Sequence, residues 1–267
     1  MNGWQHSLHG LVIVAANWLM LPAMAAEPDN SDAFTASDIR DLRQANDPVR
    51  PTNQWFSSLG AAYIHAEDGS RIWLTPFSLD ARLNRNTTLT LEGDGFGSIA
   101  ADGSTVRGFN NVTLIASHVV YRDDASRLRL AVGATAPGSS GIGSRSSKQR
   151  ISARYSRTLN EHWAVGVSAK LTRRSQEPRP GESRLEQSGR VQTTYTFNER
   201  EPAGLLPPAL VFQLERDYRR GAGGLTEATA RYEFPLSRKL GASVGFTRGL
   251  TDGLRDNTFA FDLLFSF

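Results

Sequence analysis

Alternation of apolar and polar residues dominates the chain from Trp55 to its last residue. The clearest case is the stretch Thr258–Phe267, where large apolar side chains occupy every second position. Alternate side chains of an extended strand point to opposite faces, so this stretch has one wholly apolar face. Ten residues also match the length of a tilted strand that crosses a bilayer. The apolar set consists of Phe259, Phe261, Leu263, Phe265 and Phe267.

The same period of two recurs along the rest of this region, and no segment after Gln54 has the i, i+3, i+4 rhythm of a helix over a helix length. With the last stretch, the pattern predicts 12 strands. The other predicted strands are residues 55–64, 71–79, 87–92, 112–121, 127–134, 150–156, 163–172, 191–197, 210–215, 227–234 and 239–248.

The fold class that follows is all-β: a transmembrane, antiparallel, up-and-down β-barrel of about 12 strands. In bacterial barrels, periplasmic turns are short and outer loops are longer. Counting back from the C-terminus, four of the five expected periplasmic joins are short and turn-like, and residues 198–208 are the exception. Residues 93–110 form the longest predicted outer loop.

The N-terminal segment reads as a targeting sequence. An apolar run, Leu11–Leu21, is too short for a membrane helix and is followed by Ala23-Met24-Ala25, which fits an A-x-A cleavage site. The alternative is an N-terminal anchor or a buried helix. We therefore divide the chain into a signal peptide (1–25), a periplasmic leader or lumen plug (26–53) and an outer-membrane barrel (54–267). Export through a cleaved signal peptide predicts location in the bacterial outer membrane.

Charge adds a second pattern, although 30 Lys and Arg against 27 Asp and Glu leave a net charge of only +3. The predicted inward positions of the middle strands are basic, and those of the later strands are acidic. These two sets either pair across the lumen as structural ion pairs or leave a transverse field that orients a polar solute. The basic wall is Arg127, Arg129, Arg150, Arg154 and Lys170, and the acidic wall is Glu215, Asp217, Glu227, Glu233 and Asp262.

Few residues outside this lumen are candidates for catalysis or for binding a metal or cofactor. Three histidines follow the leader, and the neighbours Ser117 and His118 would point to opposite faces of a strand, so they cannot form a catalytic pair. His162 falls in a predicted turn beside Trp163. No metal-ligand spacing and no phosphate-binding loop occurs, and the absence of cysteine excludes disulfides and thiolate sites. We expect no enzyme, no cofactor, no metal and no nucleic-acid partner.

Two stretches, Gly108–Leu114 and Arg127–Gly138 with its following Gly- and Ser-rich loop, resemble a known family. This family comprises outer-membrane barrels named as transporters of the meta-cleavage pathway of phenol degradation. The resemblance spans residues 108–267, with Asn111 in place of the expected Asp. It implies uptake of small hydrophobic or aromatic compounds and brings no catalytic residues.

The leading hypothesis is therefore a channel or transporter for a small solute. The expected partners are outer-membrane lipid, the barrel-assembly machinery, which reads the alternating C-terminal residues, and the solute itself. The alternatives are a closed structural or sensory barrel without transport and, less favoured, an outer-membrane lipid hydrolase. A periplasmic β-sandwich is a further alternative that alternation alone leaves open.

Overall fold

The computed structural model describes residues 55–66, 68–101, 103–138, 146–176, 183–197, 208–219, 223–237, 239–251 and 256–267. The signal peptide and the leader or plug lie outside the described residues. The strands are β1 (Trp55–His65), β2 (Arg71–Leu74), β3 (Phe77–Arg82), β4 (Thr87–Gly93), β5 (Phe96–Ala101), β6 (Ser104–Phe109), β7 (Val112–Arg122), β8 (Ser126–Ala136), β9 (Lys148–Thr158), β10 (Trp163–Arg174), β11 (Leu185–Thr196), β12 (Ala209–Arg219), β13 (Gly223–Pro235), β14 (Leu240–Gly249) and β15 (Asn257–Ser266).

These strands form one antiparallel sheet that closes on itself, because β15 pairs with β1 from Phe56↔Ser266 to His65↔Asn257. Twelve strands complete the ring: β1, β3, β4 and β7 to β15. The segments β2, β5 and β6 continue β3, β4 and β7 at one end of the barrel. The predicted all-β barrel of 12 antiparallel strands is confirmed.

Three neighbouring strands are interrupted at one level, which explains why 12 strands appear as 15 segments. The Thr75 N–H lies 3.1 Å from the Asp94 carbonyl oxygen and 3.0 Å from that of Phe96. Gly95 between them has φ +60°, and a Cβ there would overlap the Thr75 carbonyl oxygen. Asn110 completes this row with two bonds: its backbone N–H donates to the Gly95 carbonyl oxygen, and its side-chain NH2 donates to the Asp94 carboxylate.

The long outer loop predicted at residues 93–110 is wrong. This stretch is mostly β5 and β6, which pair from Phe96↔Phe109 to Ala101↔Ser104. Small residues such as Gly97, Ser98 and Ala100 give β5 almost no apolar alternation, so periodicity could not reveal it.

The two ends of the barrel differ in their connections. The end that carries Trp55 and Phe267, here the turn end, has short turns at residues 83–86, 123–125, 159–162 and 236–239. The opposite loop end has the longer joins 137–147, 175–184 and 250–256, together with three short joins. The long join 197–208 remains the exception at the turn end.

Three of the short turns are closed in the same way by an Asn or Asp side chain. Asn84, Asp123 and Asn160 each accept two backbone N–H bonds from residues two and three positions onward. This is the local bond that makes these residue types common in turns. The Tyr121 hydroxyl also donates to Asp123 and lowers the pKa of that carboxyl below its ordinary value.

The barrel reverses the burial pattern of a water-soluble domain. Large apolar side chains are exposed on the outer face, for example Leu59 at 56%, Val132 at 58% and Ile151 at 55%. The alternate positions point inward and are mostly polar and buried, including Ser58, Asp80, Glu92, Gln192 and Ser243. This arrangement is that of a sheet with lipid outside and a polar interior. It excludes the periplasmic sandwich, whose exposed face would be polar.

An aromatic belt marks the turn end of the outer face. Rings from β10 to β13 contact one another in a continuous series, with centroid distances between 4.9 and 6.2 Å. Aromatic side chains favour the level of the lipid headgroups, so this belt identifies one membrane interface. The series contains His162, Trp163, Tyr195, Phe197, Tyr232 and Phe234.

The last strand carries the proposed assembly signal on this outer face. Phe259, Phe261 and Phe267 are exposed, and Leu263 and Phe265 are half-buried. Recognition of these residues by the assembly machinery stays a prediction. Among the described residues, no helix is long and apolar enough to cross a membrane.

The assignment of outer and inner faces predicts that a polar substitution is destabilising at one residue and tolerated at the residue before it. Val132→Arg places a charge among outer apolar side chains, and we expect a loss of about 2–4 kcal/mol in the free energy of unfolding if the residue lies near the bilayer midplane. Ala131→Gln is the control, because the inward Ala131 has the polar residues Ser117 and Ser152 opposite it and a neutral side chain adds no charge beside Arg129. Urea titration in lipid vesicles measures both, and equal losses would contradict the assignment.

Candidate lumen site

Charged side chains collect on the inner face of strands β8 to β13. Alternation along each strand directs them inward, and the strand register then decides which of them meet. Among the described charged residues of these strands, Glu233 at 0% and Arg231 at 3% are the least exposed. An ionised group with so little solvent needs partners of opposite charge or hydrogen bonds. The arrangement of the inner face therefore depends on ion pairs and hydrogen bonds between its side chains.

The predicted basic residues lie on three adjacent strands. Arg127 and Arg129 belong to β8, Arg150 and Arg154 to β9, and Lys170 to β10. Register places Arg129 directly opposite Arg154, which in turn lies opposite Ser168 on β10. The Arg154 guanidinium reaches across β10 and donates to the Gln192 side-chain oxygen at 3.1 Å. The structure thus brings this set together on one side of the barrel.

The predicted acidic residues lie on β12, β13 and β15. Glu215 faces Glu227 directly across β12 and β13, and Asp217 follows Glu215 at the next inward position. Glu233 and Asp262 share one row, with Ser243 of β14 between them. The Ser243 hydroxyl donates to the Asp262 carboxylate at 3.1 Å.

Arginines within this acidic region neutralise part of its charge locally. Arg190 on β11 lies 2.6 Å from Glu215 on the neighbouring strand. Arg231 lies 2.9 Å from Glu233, two residues along the same strand. These pairs form along the wall rather than across the lumen. The function of the two charged sets as opposed walls of a channel stays a prediction.

One ion pair connects strands that are not neighbours. The Arg150 guanidinium on β9 lies 2.5 Å from Glu92 on β4, with β7 and β8 between the two strands. The side chain passes over Gly133 of β8, where an added Cβ would lie 3.1 Å from its Cγ and Nε atoms. Glycine at this position therefore leaves the path that Arg150 takes to Glu92.

Arg231 lies over a second glycine in the same manner. A Cβ added to Gly245 of β14 would be 3.4 Å from Arg231 Cγ, so the arginine stem lies flat against the wall. On the far side of β15, the Asp262 carboxylate occupies the space above Gly60 of β1. Missing side chains on the inner face thus make room for charged neighbours on adjacent strands.

Several members of this network were missed by the sequence analysis. Glu92, Arg174, Glu186 and Arg190 all lie at inward positions, and Arg174 pairs with Glu186 at 2.7 Å. Alternation could have indicated that two of them point inward. Arg190 is two residues from Gln192, and Glu92 is two residues from Thr90, so each lies on the same face of its strand as that polar residue. The distant pairing of Glu92 with Arg150 left no such signal.

The weak enzymatic candidates are separated in the structure. Ser117 is buried on the inner face, whereas His118 is exposed outside and bonds with the Thr87 hydroxyl at 3.0 Å. His162 stacks on Tyr195 within the aromatic belt. Among the described residues, no group of three His, Cys, Asp or Glu side chains could hold a metal ion.

Comparison with solved structures places this barrel among outer-membrane proteins. The chain is similar to the COG4313 outer membrane channel from Pseudomonas putida F1, with 16% identity, a TM-score of 0.62, and coverage of 83% of this chain and 99% of that chain. It is also similar to the NanC porin, with 11% identity, a TM-score of 0.58, and coverage of 78% and 98%. A third similar structure is the KdgM porin in complex with disordered oligogalacturonate, with 14% identity, a TM-score of 0.55, and coverage of 79% and 99%.

No family model and no curated protein matches the chain. The solved structures confirm the predicted outer-membrane barrel fold. At these identities the likeness concerns the fold alone, and the narrower resemblance to phenol-pathway transporters stays a prediction.

The ion pair between Arg150 and Glu92 predicts that substitutions of the two residues have coupled effects on the free energy of unfolding. Glu92→Gln leaves Arg150 without its carboxylate partner, and we expect the free energy of unfolding to fall by about 1.5–3 kcal/mol. Glu161→Gln, at an exposed turn position, is the control and should change it by less than about 0.5 kcal/mol. The double variant Glu92→Gln/Arg150→Met should recover part of the loss, because it removes both charges. Additive losses in denaturant titration would show that the pair is not coupled.

Proposed function

We propose that this chain is an outer-membrane channel for a small solute, with hydrophobic or aromatic compounds as candidates. It is exported through a cleaved signal peptide and inserted by the barrel-assembly machinery into outer-membrane lipid. The observation that carries the proposal is a closed ring of 12 strands whose inner face is lined by charged side chains.

The basic residues of β8 to β10 support passage rather than anchoring alone. A barrel that serves only as an anchor requires an apolar outside but no particular charge inside. Here the Arg150 side chain, although it pairs with Glu92, keeps 20% of its surface exposed on the inner face. Such groups attract and orient the polar or anionic end of a solute.

The solute class is supported from two directions. The resemblance to phenol-pathway transporters favours small aromatic compounds, and the inward arginines favour a solute with a carboxylate or another acidic group. An aromatic acid combines both features. Its carboxylate would meet the basic residues of β8 to β10, while the acidic residues of β12 and β13 would repel it. The transverse field thereby sets the orientation of the solute.

A closed structural or sensory barrel is the second candidate, because the most buried ion pairs occupy the interior. Arg174 and Glu186 keep only 4% and 6% of their side-chain surfaces exposed, and Arg231 and Glu233 keep 2% and 0%. Paired groups of this kind fill the lumen and resist displacement, since separating them leaves uncompensated buried charge.

Planar-bilayer recording and liposome swelling distinguish the two candidates. We expect a conductance and faster swelling with benzoate-type acids than with neutral aromatics of equal size. Arg154→Ala, on the inner face, should reduce the preference for anions about two- to fivefold, because it removes an inward charge. Arg157→Ala is the matched control, since Arg157 is exposed on the outer face of the same strand.

Absence of current in the full chain, and again after deletion of residues 27–50, would contradict the channel and favour the closed barrel. Equal effects of Arg154→Ala and Arg157→Ala would contradict the role of the basic residues while leaving the channel intact.

A further inference from the structure

A concave groove runs along the outer face of β13, and the proposed channel does not use it. The register sets Ala230 between Phe212 and Phe246, and Ala228 lies between Leu214 and Arg248. The large side chains of β12 and β14 therefore form two walls, and the alanines of β13 form the floor. The groove has a volume of about 490 Å³.

The dimensions of the groove suit a lipid chain better than a protein. Its walls stand on strands two positions apart, and neighbouring strands are about 4.8 Å apart, so the walls are about 10 Å apart. A stable protein partner needs about 800 Å² on each side, which a groove one strand wide does not offer. The surrounding outer face is the apolar, lipid-facing face of the barrel.

A cationic side chain, Arg248, lines the groove near its loop end, next to Leu250. Arg248 is exposed and lies eight residues beyond Leu240, about 27 Å along the strand and about 20 Å in height at a tilt of about 40°. The apolar band of such barrels is about 25 Å tall, so Arg248 lies near the membrane interface at the loop end. Guanidinium groups bind phosphate through paired, charge-assisted hydrogen bonds.

We propose that this groove binds lipid A, the phosphorylated glycolipid of the outer leaflet. One acyl chain lies over Ala228 and Ala230 between the side chains of Phe212 and Phe246, and a phosphate of the sugar headgroup binds Arg248. The longer loops of bacterial barrels face the outside, so the lipid that meets Arg248 belongs to the outer leaflet. This inference depends on the barrel fold and not on the proposed channel activity.

Native mass spectrometry of the full chain, purified from outer membranes in mild detergent, tests the site. We expect one retained lipid A, with occupancy reduced about tenfold in Arg248→Ala, which removes the charge-assisted bonds, and in Ala230→Phe, which fills the groove. Arg248→Lys should retain part of the binding. Two matched controls, Arg173→Ala and Ala134→Phe, change exposed outer-face residues of β10 and β8 and should leave occupancy unchanged.

Competition identifies the lipid. Added diphosphorylated lipid A should replace the retained molecule, whereas phosphatidylglycerol and an uncharged diacylglycerol should not. Equal occupancy in all variants would overturn the site, and so would loss in Arg248→Ala without loss in folded Ala230→Phe. Replacement by phosphatidylglycerol at equal concentration would overturn the assignment to lipid A. If Ala230→Phe does not reach the heat-modifiable folded form, the site is tested by the lipid occupancy of Arg248→Ala compared with that of Arg248→Lys and Arg173→Ala.

Discussion

The ladder between the last strand and the first determines the rest of this structure. Hydrocarbon offers no hydrogen-bond partners, so each backbone N–H and C=O at membrane depth must pair within the protein. The ten residue pairs between β15 and β1 satisfy the two edges that an open sheet would expose. Once the sheet is closed, each strand has one face toward lipid and one toward the interior, and the alternation of the sequence follows from that division.

Closure also constrains the interior, because charged side chains directed inward must find partners at short range. Two arginines do so by lying flat over glycines, Arg150 over Gly133 and Arg231 over Gly245. A Cβ at Gly133 would lie 3.1 Å from the Arg150 side chain and would force it to shift, whereas a Cβ at Gly245 would only touch Arg231 at 3.4 Å. Gly133 therefore leaves open the path by which Arg150 reaches Glu92 beyond the neighbouring strand.

The parts of the fold that alternation encodes could be predicted from the sequence, including the number of strands and the closing strand. Strand β5 was missed because Gly97, Ser98 and Ala100 give it little hydrophobic contrast. The direction of Arg154 and Glu215 follows from alternation as well. Their partners do not, since the pairing depends on register and side-chain reach between strands that are distant in sequence. The lipid-face groove depends on register in the same way.

The charge asymmetry of the lumen arises at the level of whole strands. No Asp or Glu occurs in β8, β9 or β10, so their inward cations depend on carboxylates of other strands, as Arg150 depends on Glu92 and Arg174 on Glu186. The acidic strands β12 and β13, in contrast, are balanced close by, by Arg190 from β11 and by Arg231 within β13. Carboxylate partners of the basic strands must therefore come from other strands, either a neighbour, as for Arg174, or a strand further away, as for Arg150.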